Sequence, residues 1–205
     1  MATASDITTL LEDNLADVEI IARRPQKPLE IVDYNPEWPS MFAEVEKRIR
    51  DALGDRAVVI QHVGSTSVPG LSAKDIIDVD LAVPDPTDED SYVPALQAAG
   101  FKFLLREPKW HQHRLFYIES PYTNLHVFGP DSSEMVRHRM FRDWMREHPG
   151  DRELYVAAKK KAVEATNAVG GITQQYTDHK EPVIWEILGR IFEAHGLLNS
   201  SSAAA

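Results

Sequence analysis

The chain has 205 residues, 43% of them apolar, and a formal net charge of −10, enough to bury a core in one domain with a modest extension. It contains no cysteine, which excludes disulfides, thiol catalysis and thiolate metal sites, so any metal must be held by oxygen or imidazole. No apolar run approaches the roughly 20 residues that cross a bilayer, and Met1–Leu11 carries neither a basic residue nor the continuous apolar stretch of a signal peptide. A cytoplasmic protein with no membrane partner is the expectation.

The charge is uneven along the chain. Residues 1–136 hold 12 Lys/Arg against 23 Asp/Glu, whereas 137–161 hold eight basic residues (Arg137, Arg139, Arg142, Arg146, Arg152, Lys159, Lys160 and Lys161) against four acids. A local basic face on an acidic protein suits a compact anion such as a triphosphate or an RNA end. It is equally what a solvated helix surface looks like. Long duplex nucleic acid is not expected as a partner at this overall charge.

Residues 1–28 read as an N-terminal extension. Ser5 can cap a short helix carrying Ile7, Leu10, Leu11 and Leu15, and Arg23-Arg24-Pro25 to Pro28 ends it. Leu29–Asp33 reads as a first strand. The turn Asn35-Pro36-Glu37-Trp38-Pro39 leads into a helix with Phe42, Val45, Ile49 and Leu53 at spacings of three and four, stopped by Gly54. Ala57–His62 is a β-branched strand, Gly64–Gly70 a loop and Ile76–Val83 the strongest strand of the chain. A helix over Tyr92–Ala99 follows, then strands over Phe101–Leu105, Arg114–Glu119 and Asn124–Phe128.

From Asp131 the pattern is helical. Asp131 with Glu134 resembles a capping box, and Val136, Met140, Trp144 and Met145 form one apolar stripe. His148-Pro149-Gly150 interrupts it, Asp151 opens a second helix that Gly170-Gly171 stops, and Asp178, Glu181 and Pro182 open a third with Val183, Ile184, Ile187, Leu188, Ile191 and Phe192 in the core. The expected fold is α+β: a mixed-sheet core over 29–130, a helical region over 131–196 packed on it, and a frayed tail over 197–205.

Asp78 and Asp80 lie two apart on a predicted strand, so both carboxylates leave one face while Ile77, Val79 and Leu81 point the other way. Adjacent carboxylates repel, and a divalent cation with hard oxygen ligands relieves that repulsion. The plain alternative is a pair of exposed acids on a solvent face. Upstream, Gly64 and Ser65 follow a strand: the glycine allows close approach of a phosphate, and the serine hydroxyl with successive backbone N–H groups can hold its oxygens. Gly-Ser after one strand followed by Asp-x-Asp on the next is the motif order of the nucleotidyltransferase superfamily, whose carboxylates hold Mg²⁺ on a nucleoside triphosphate.

The blocks His62-Val63-Gly64-Ser65-Thr66-Ser67-Val68-Pro69-Gly70-Leu71, Ala73-Lys74 and Ile76-Ile77-Asp78-Val79-Asp80 resemble the signature of the GrpB family. The resemblance continues through His113-Arg114, Leu125-His126-Val127, Phe141-Arg142-Asp143-Trp144, His148-Pro149, Tyr155, Lys159, and Tyr176 with Lys180. It implies a nucleotidyltransferase fold, Mg²⁺ on Asp78 and Asp80, and phosphate held at Gly64, Ser65 and Thr66. Asp75 stands where relatives carry proline, on the face opposite Asp78. Polymerase-like members of the superfamily place a third carboxylate on a later strand to activate the attacking hydroxyl. His126 is the candidate for that place, as base or ligand, with Glu119 as its rival; a strand histidine satisfied by hydrogen bonds is the plain reading.

Lys74, Arg114 and Lys159 are further candidates for anion contacts, Arg114 because its fork grips phosphate in two places. Lys159–Lys161 wrap around a helix, so one or two of them can face a site. Trp110, Trp144 and Trp185 read as core rather than as a base-stacking platform. The resemblance implies a transferase acting on a nucleoside triphosphate. Fungal proteins resembling this family are described as arginine-containing cyclodipeptide synthases, which implies as an alternative a charged tRNA acceptor end as donor, with the basic helices on its phosphates and an aspartate on the arginine side chain. A non-catalytic nucleotide- or RNA-binding module is the third reading; retention of two repelling acids argues against it.

Overall fold

The computed structural model describes residues 2–10, 17–25, 28–171 and 173–198. A six-stranded sheet runs β1 (Glu19–Ile20), β4 (Lys102–Glu107), β5 (His113–Glu119), β6 (Tyr122–Phe128), β3 (Ile77–Ala82), β2 (Val59–Val63) across its width. Its neighbours are antiparallel except β3 and β6, which run parallel. The expected α+β architecture is present.

One face of the sheet carries the main core. Ile77, Val79, Leu81, Phe116, Ile118, Leu125 and Val127 alternate onto it and pack against Val45, Ile49 and Leu53 of α2 (Trp38–Leu53) and Leu96 of α3 (Val93–Ala98). Trp38, fully buried at the start of α2, donates from Nε1 to Asp75 Oδ1 at 2.7 Å. This places Asp75 away from Asp78, as its strand parity requires. Gly54 ends α2 at φ 55°, a left-handed conformation in which a Cβ would crowd the backbone.

On the other face Met135 of α4 (Ser133–Glu147) packs against Ala82 and Phe128, and α5 (Pro149–Ala168) and α6 (Thr173–Ala194) pack with α4 and with each other. They share a second core built on Met145, Tyr155, Ile187, Leu188, Ile191 and Phe192, into which Val68 and Leu71 of the Gly64 loop also pack. The break between α4 and α5 is His148 alone, which caps both helices. Pro182 lies inside α6 rather than opening it. Trp185 is 48% exposed, where the sequence suggested core. No helix among the described residues is long and apolar enough to cross a membrane.

Several local expectations shift for identifiable reasons. Leu29–Asp33 forms only an isolated bridge, Val32 with Ala73, and the first true strand is β1 on the far edge. The N-terminal helix α1 is Ala4–Thr8, capped by Thr3 rather than Ser5 in a reciprocal bond with Asp6; Leu11 and Leu15 lie outside the described residues, as do 199–205 of the expected tail. Asp131 and Glu134 do not form a capping box: Ser132 is the N-cap, and the Glu134 carboxylate binds Arg137 and His138 instead.

Arg137, expected on the basic face, is buried. Its Nη1 donates to the carbonyls of Asp6 and Ile7 at 3.0 Å and of Thr9 at 3.3 Å, closing the C-terminal end of α1. Its Nε lies 2.6 Å from Glu134 Oε2. Arg137→Met therefore strips three carbonyls and a buried carboxylate of their donor and is expected to cost about 3–5 kcal/mol in chemical unfolding. Amide exchange at Ile7 and Thr9 should accelerate in the same variant. A loss below about 0.5 kcal/mol would place Arg137 among solvated surface residues instead.

Candidate functional site

The loop after β2 and the start of β3 are locked together. Gly64 has φ 66°, and a Cβ added there would lie 2.5 Å from Asp78 Oδ2, so only glycine lets the loop sit against this carboxylate. A single 3₁₀ turn, Ser65–Ser67, follows, with Ser67 Oγ donating to Gly64 O at 2.6 Å. Thr66 is buried: its hydroxyl donates to Ile76 O at 3.0 Å and lies 3.0 Å from His62 Nε2, pinning loop to strand rather than opening onto the surface. Of the three predicted loop residues, Gly64 borders Asp78, Ser65 accepts from Lys159 and Thr66 supports them from within.

Asp78 and Asp80 share a face, as strand period requires, yet their surroundings differ sharply. Asp78 keeps 29% of its side chain exposed and accepts from Asn124 Nδ2 at 2.8 Å across the parallel β3–β6 pairing. Arg24 donates in turn to Asn124 Oδ1. Asp80 is fully buried. Gln61 Nε2 donates to its Oδ2 at 3.0 Å, and His138 Nδ1 lies 3.0 and 3.1 Å from its two oxygens. His138 Nε2 lies 3.1 Å from Glu134 Oε1. Burial alone would drive the proton off His138, but the carboxylates of Asp80 and Glu134 on either side outweigh it and hold the pKa well above the ordinary value. Glu134 answers in kind: burial raises its pKa, while His138 and Arg137 bring it down to about 2.

Asn124, Gln61 and His138 were not singled out from sequence, and Glu134 was read there only as part of a helix cap. Gln61 and Asn124 become visible once the register is known, since they are the cross-strand partners of Asp80 and Asp78. For Glu134 and His138 the only sequence signal is their i, i+4 spacing on a predicted helix.

His126 pairs in register with Asp80, and its Nε2 lies 4.0 Å from Asp78 Oδ1. Its Nδ1 is 3.0 Å from His113 Nε2, and His113 Nδ1 is 2.5 Å from Glu107 Oε2. Burial first, then the neighbouring His113, lowers the His126 pKa to about 4; burial lowers that of His113 to about 3. Glu119, the rival for this role, stands at the exposed end of β5 with Lys102 Nζ 2.7 Å away.

Three lysines from separate elements gather beside the Gly64 loop. Lys74, ahead of β3, and Lys180, on α6, both lie over the ring of Tyr176, at 4.7 and 5.6 Å from its centre. Lys159, on α5, is buried, 4.7 Å from the centre of the Tyr155 ring, and donates to Ser65 Oγ at 3.1 Å and to Ser72 O. Burial lowers the Lys159 pKa to about 7, with Lys180 and Lys74 pushing the same way; burial lowers that of Lys74 to about 8 against the pull of Asp78. Lys74 and Lys159, each a separate candidate for an anion contact from the sequence, thus lie near one another beside the Gly64 loop, and Lys180 joins them.

Arg114 does not join them. Its register partner Val127 belongs to the core face, so its side chain leaves the sheet on the side opposite Asp78. There it is buried, with Nε 2.9 Å from Glu89 Oε1 and Nη1 donating to Gln112 O at 2.7 Å. Arg142 and Arg146 serve the loop itself, donating to the carbonyls of His62 at 3.1 Å and Ser67 at 2.8 Å. Among the described residues, no three His, Asp or Glu side chains form a ready-made metal cage.

The buried imidazoles set an acid limb on stability. His62, His113 and His126 have folded pKa values lowered by burial to about 4, 3 and 4. The unfolded chain therefore binds more protons than the folded one below about pH 6.5, so stability is complete above that pH and is lost as pH falls toward about 4. His138, with a raised pKa, acts with the opposite sign: its contribution is complete below about pH 6.5 and is lost as pH rises through the raised value. Urea midpoints measured from pH 7 to pH 4.5 should fall for the wild type. His113→Phe, placed among Trp110 and Phe128, should flatten that fall by up to about 1.4 kcal/mol per pH unit. Parallel curves for the two proteins would mean that His113 titrates normally in the fold.

Comparison with known proteins places this arrangement. The family model described as GrpB protein matches residues 28–190. A UPF0157 protein of Halalkalibacterium halodurans, BH1888, is 39% identical over 191 residues, covering 93% of this chain and 96% of that protein. A protein of Mycolicibacterium paratuberculosis named dephospho-CoA kinase is 29% identical over 182 residues, which span 76% of this chain and 44% of that protein. Among solved structures, conserved protein GrpB from Enterococcus faecalis superposes with a TM-score of 0.70 at 24% identity, over 82% of this chain and 99% of that one, a likeness of fold. A family model spanning five of the six strands, the Gly64 loop and most of the three C-terminal helices leaves one conclusion: the chain belongs to the GrpB family.

Proposed function

We propose that this protein is a nucleotidyltransferase-like transferase that takes a nucleoside triphosphate as donor, with Mg²⁺ on Asp78. The observation that carries this reading is the cluster of Lys74, Lys159 and Lys180 beside Ser65, next to a carboxylate against which only a glycine fits. Three ammonium groups drawn together around two tyrosine rings repel one another, and two of them sit with pKa values lowered to about 7 and about 8 by burial. A polyanion bound beside Ser65 restores their charge and removes the repulsion.

The donor set fits Mg²⁺ in one specific way. This ion usually keeps several waters and takes one or two carboxylates plus substrate phosphates, so a preformed protein cage is not needed. Asp78 is the accessible carboxylate; the oxygens of Asp80 are engaged by His138 and Gln61. When bound, Mg²⁺ supplies charge neutralisation on the phosphates. The chain supplies the rest: the Gly64–Ser65 backbone and Lys159 position the anion, Lys74 and Lys180 offset its charge, and His126 Nε2 stands within reach of the same carboxylate as a base toward an acceptor.

The placement of the basic residues favours a compact donor over a tRNA. Of the segment 137–161, Arg137 is buried on α1, Lys159 is buried on Ser65, and Arg142 and Arg146 are bonded to loop carbonyls. That leaves Arg139, Lys160 and Lys161 exposed and Arg152 half-buried, a short track for a long polyanion. The dephospho-CoA kinase name of one relative is compatible with nucleotide chemistry, but the match covers less than half of that protein.

Thermal unfolding with Mg²⁺ and ATP tests the reading. At ligand about a hundredfold above Kd the gain is about 2.7 kcal/mol, or about 5–10 °C for a chain of this size. Asp78→Asn should remove the gain and Lys180→Ala should reduce it. Lys160→Glu with Lys161→Glu should leave it intact. An Asp78→Asn protein that keeps the full increment sinks the metal assignment. Loss of tRNA binding in the double reversal, with triphosphate binding unchanged, would favour the aminoacyl-tRNA-dependent alternative.

A further inference from the structure

The imidazole facing Asp78 is the inner end of a three-residue row, Glu107–His113–His126, that starts on β4, crosses β5 and ends on β6. Adjacent polar atoms are 2.5 Å apart at Glu107 Oε2–His113 Nδ1 and 3.0 Å apart at His113 Nε2–His126 Nδ1. The rings of His113 and His126 are nearly parallel, 22° apart, and aromatic neighbours at Trp110 and Phe128 hold them. A row of this kind has one donor per link, so whatever fixes one end fixes every hydrogen along it.

We propose that Glu107 and His113 are positioning residues that set the tautomer of His126, placing its hydrogen on Nδ1 and leaving Nε2 as a bare lone pair directed toward Asp78. The reasoning runs inward from the rim. Glu107 ends β4 with 18% of its side chain exposed; burial raises its pKa, while the remaining exposure gives water access to the carboxylate. An ionised carboxylate only accepts, so His113 must carry its hydrogen on Nδ1. His113 Nε2 is then an acceptor, and its one partner is His126 Nδ1, which must donate. His113, with 3% of its side chain exposed, packs against Trp110 and Phe128 and stacks on His126, surroundings that disfavour a charged ring. A charged His113 would donate from both nitrogens, so His126 Nδ1 would have to accept and its hydrogen would sit on Nε2 instead.

The outcome is unusual at the inner end. A lone pair faces a carboxylate oxygen 4.0 Å away, with no hydrogen between them. Two electron-rich atoms so placed favour an electrophile, either a cation or the hydroxyl proton of an acceptor. An isolated imidazole prefers its hydrogen on Nε2, and that form would merely donate to Asp78 and close the gap. Glu107 and His113 thus convert a histidine that would neutralise Asp78 into one that shares with it the work of holding a positive centre, as outer carboxylates do for histidines at metal and acid–base sites. What the lone pair does rests on the proposed transferase reading; the tautomer itself does not.

Ring ¹⁵N–¹H correlation spectra of the histidine-labelled full chain at pH 7.5 read the tautomer directly. The expected result is a His126 with protonated Nδ1 and unprotonated Nε2. In His113→Phe, where Nδ1 has lost its acceptor, the hydrogen should move to Nε2. A wild-type His126 protonated on Nε2, or on both nitrogens, overturns the proposal, as does a His113→Phe protein with an unshifted tautomer. Should His113→Phe fail to fold, the wild-type spectrum alone decides. Mg²⁺ affinity measured with ATP separates the two ideas: in a working site His113→Phe weakens it about 10–100-fold. Absence of Mg²⁺–ATP binding to the wild type, with the tautomer as expected, removes the transferase reading and leaves the tautomer assignment standing.

Discussion

Two carboxylates leave one face of the central strand β3, and the rest of the molecule is organised around making that tolerable. Asp80 is fully buried, so its charge must be met inside the protein. His138 meets it, and Asp80 together with Glu134 on the other side of the ring keeps its proton in place. Glu134 in turn is tied to Arg137, and Arg137 to the carbonyls at the end of α1. A single buried aspartate thereby fixes the position of α4 over the sheet and draws in a segment from the opposite end of the chain. Removing any one link leaves an uncompensated charge in the interior.

Asp78 is handled in the opposite manner. It has a neutral amide on one oxygen, a glycine backbone against the other and partial access to solvent. Its positive partners are gathered at a distance, as lysines shared among the Gly64 loop, α5 and α6. The same sequence motif therefore yields one structural acid and one open acid, and the difference comes from which helix covers which residue. In the proposed reading this asymmetry is functional: the buried acid holds the frame, and the open one is left to a ligand.

The acidic composition conceals this arrangement. A net charge of −10 describes the exposed faces, where pairs such as Lys47–Asp51 and Arg48–Glu44 on α2 are solvated and contribute little. The lysines that matter are few, come from three separate elements and bury much of their length. A charge plot along the chain picks out 137–161 as basic, but the residues that give this impression do unlike things: Arg137 clamps α1, Arg142 and Arg146 hold loop carbonyls, and Lys159 supports Ser65.

The sequence by itself determined whatever depends on local period and local sterics. Strand alternation put Asp78 and Asp80 on one face and Ile77, Val79 and Leu81 on the other, and the spacing of Phe42, Val45, Ile49 and Leu53 made α2, with Gly54 to end it. Gly64 was legible as a residue that permits a close approach, read from sequence as room for a phosphate, and the structure puts the Asp78 carboxylate against it. Tertiary structure alone decided the partners. Gln61 and Asn124 reach the acids through β-register, and His138 and Glu134 through the seating of α4 more than fifty residues downstream. Register likewise sent Arg114 to the core face, where Glu89 holds it, and lined Glu107, His113 and His126 into one row. The physical reason is that period fixes which way a side chain leaves its own element, whereas hydrogen-bond partners and burial depend on which element lies opposite, and that is set by packing between segments far apart in the chain.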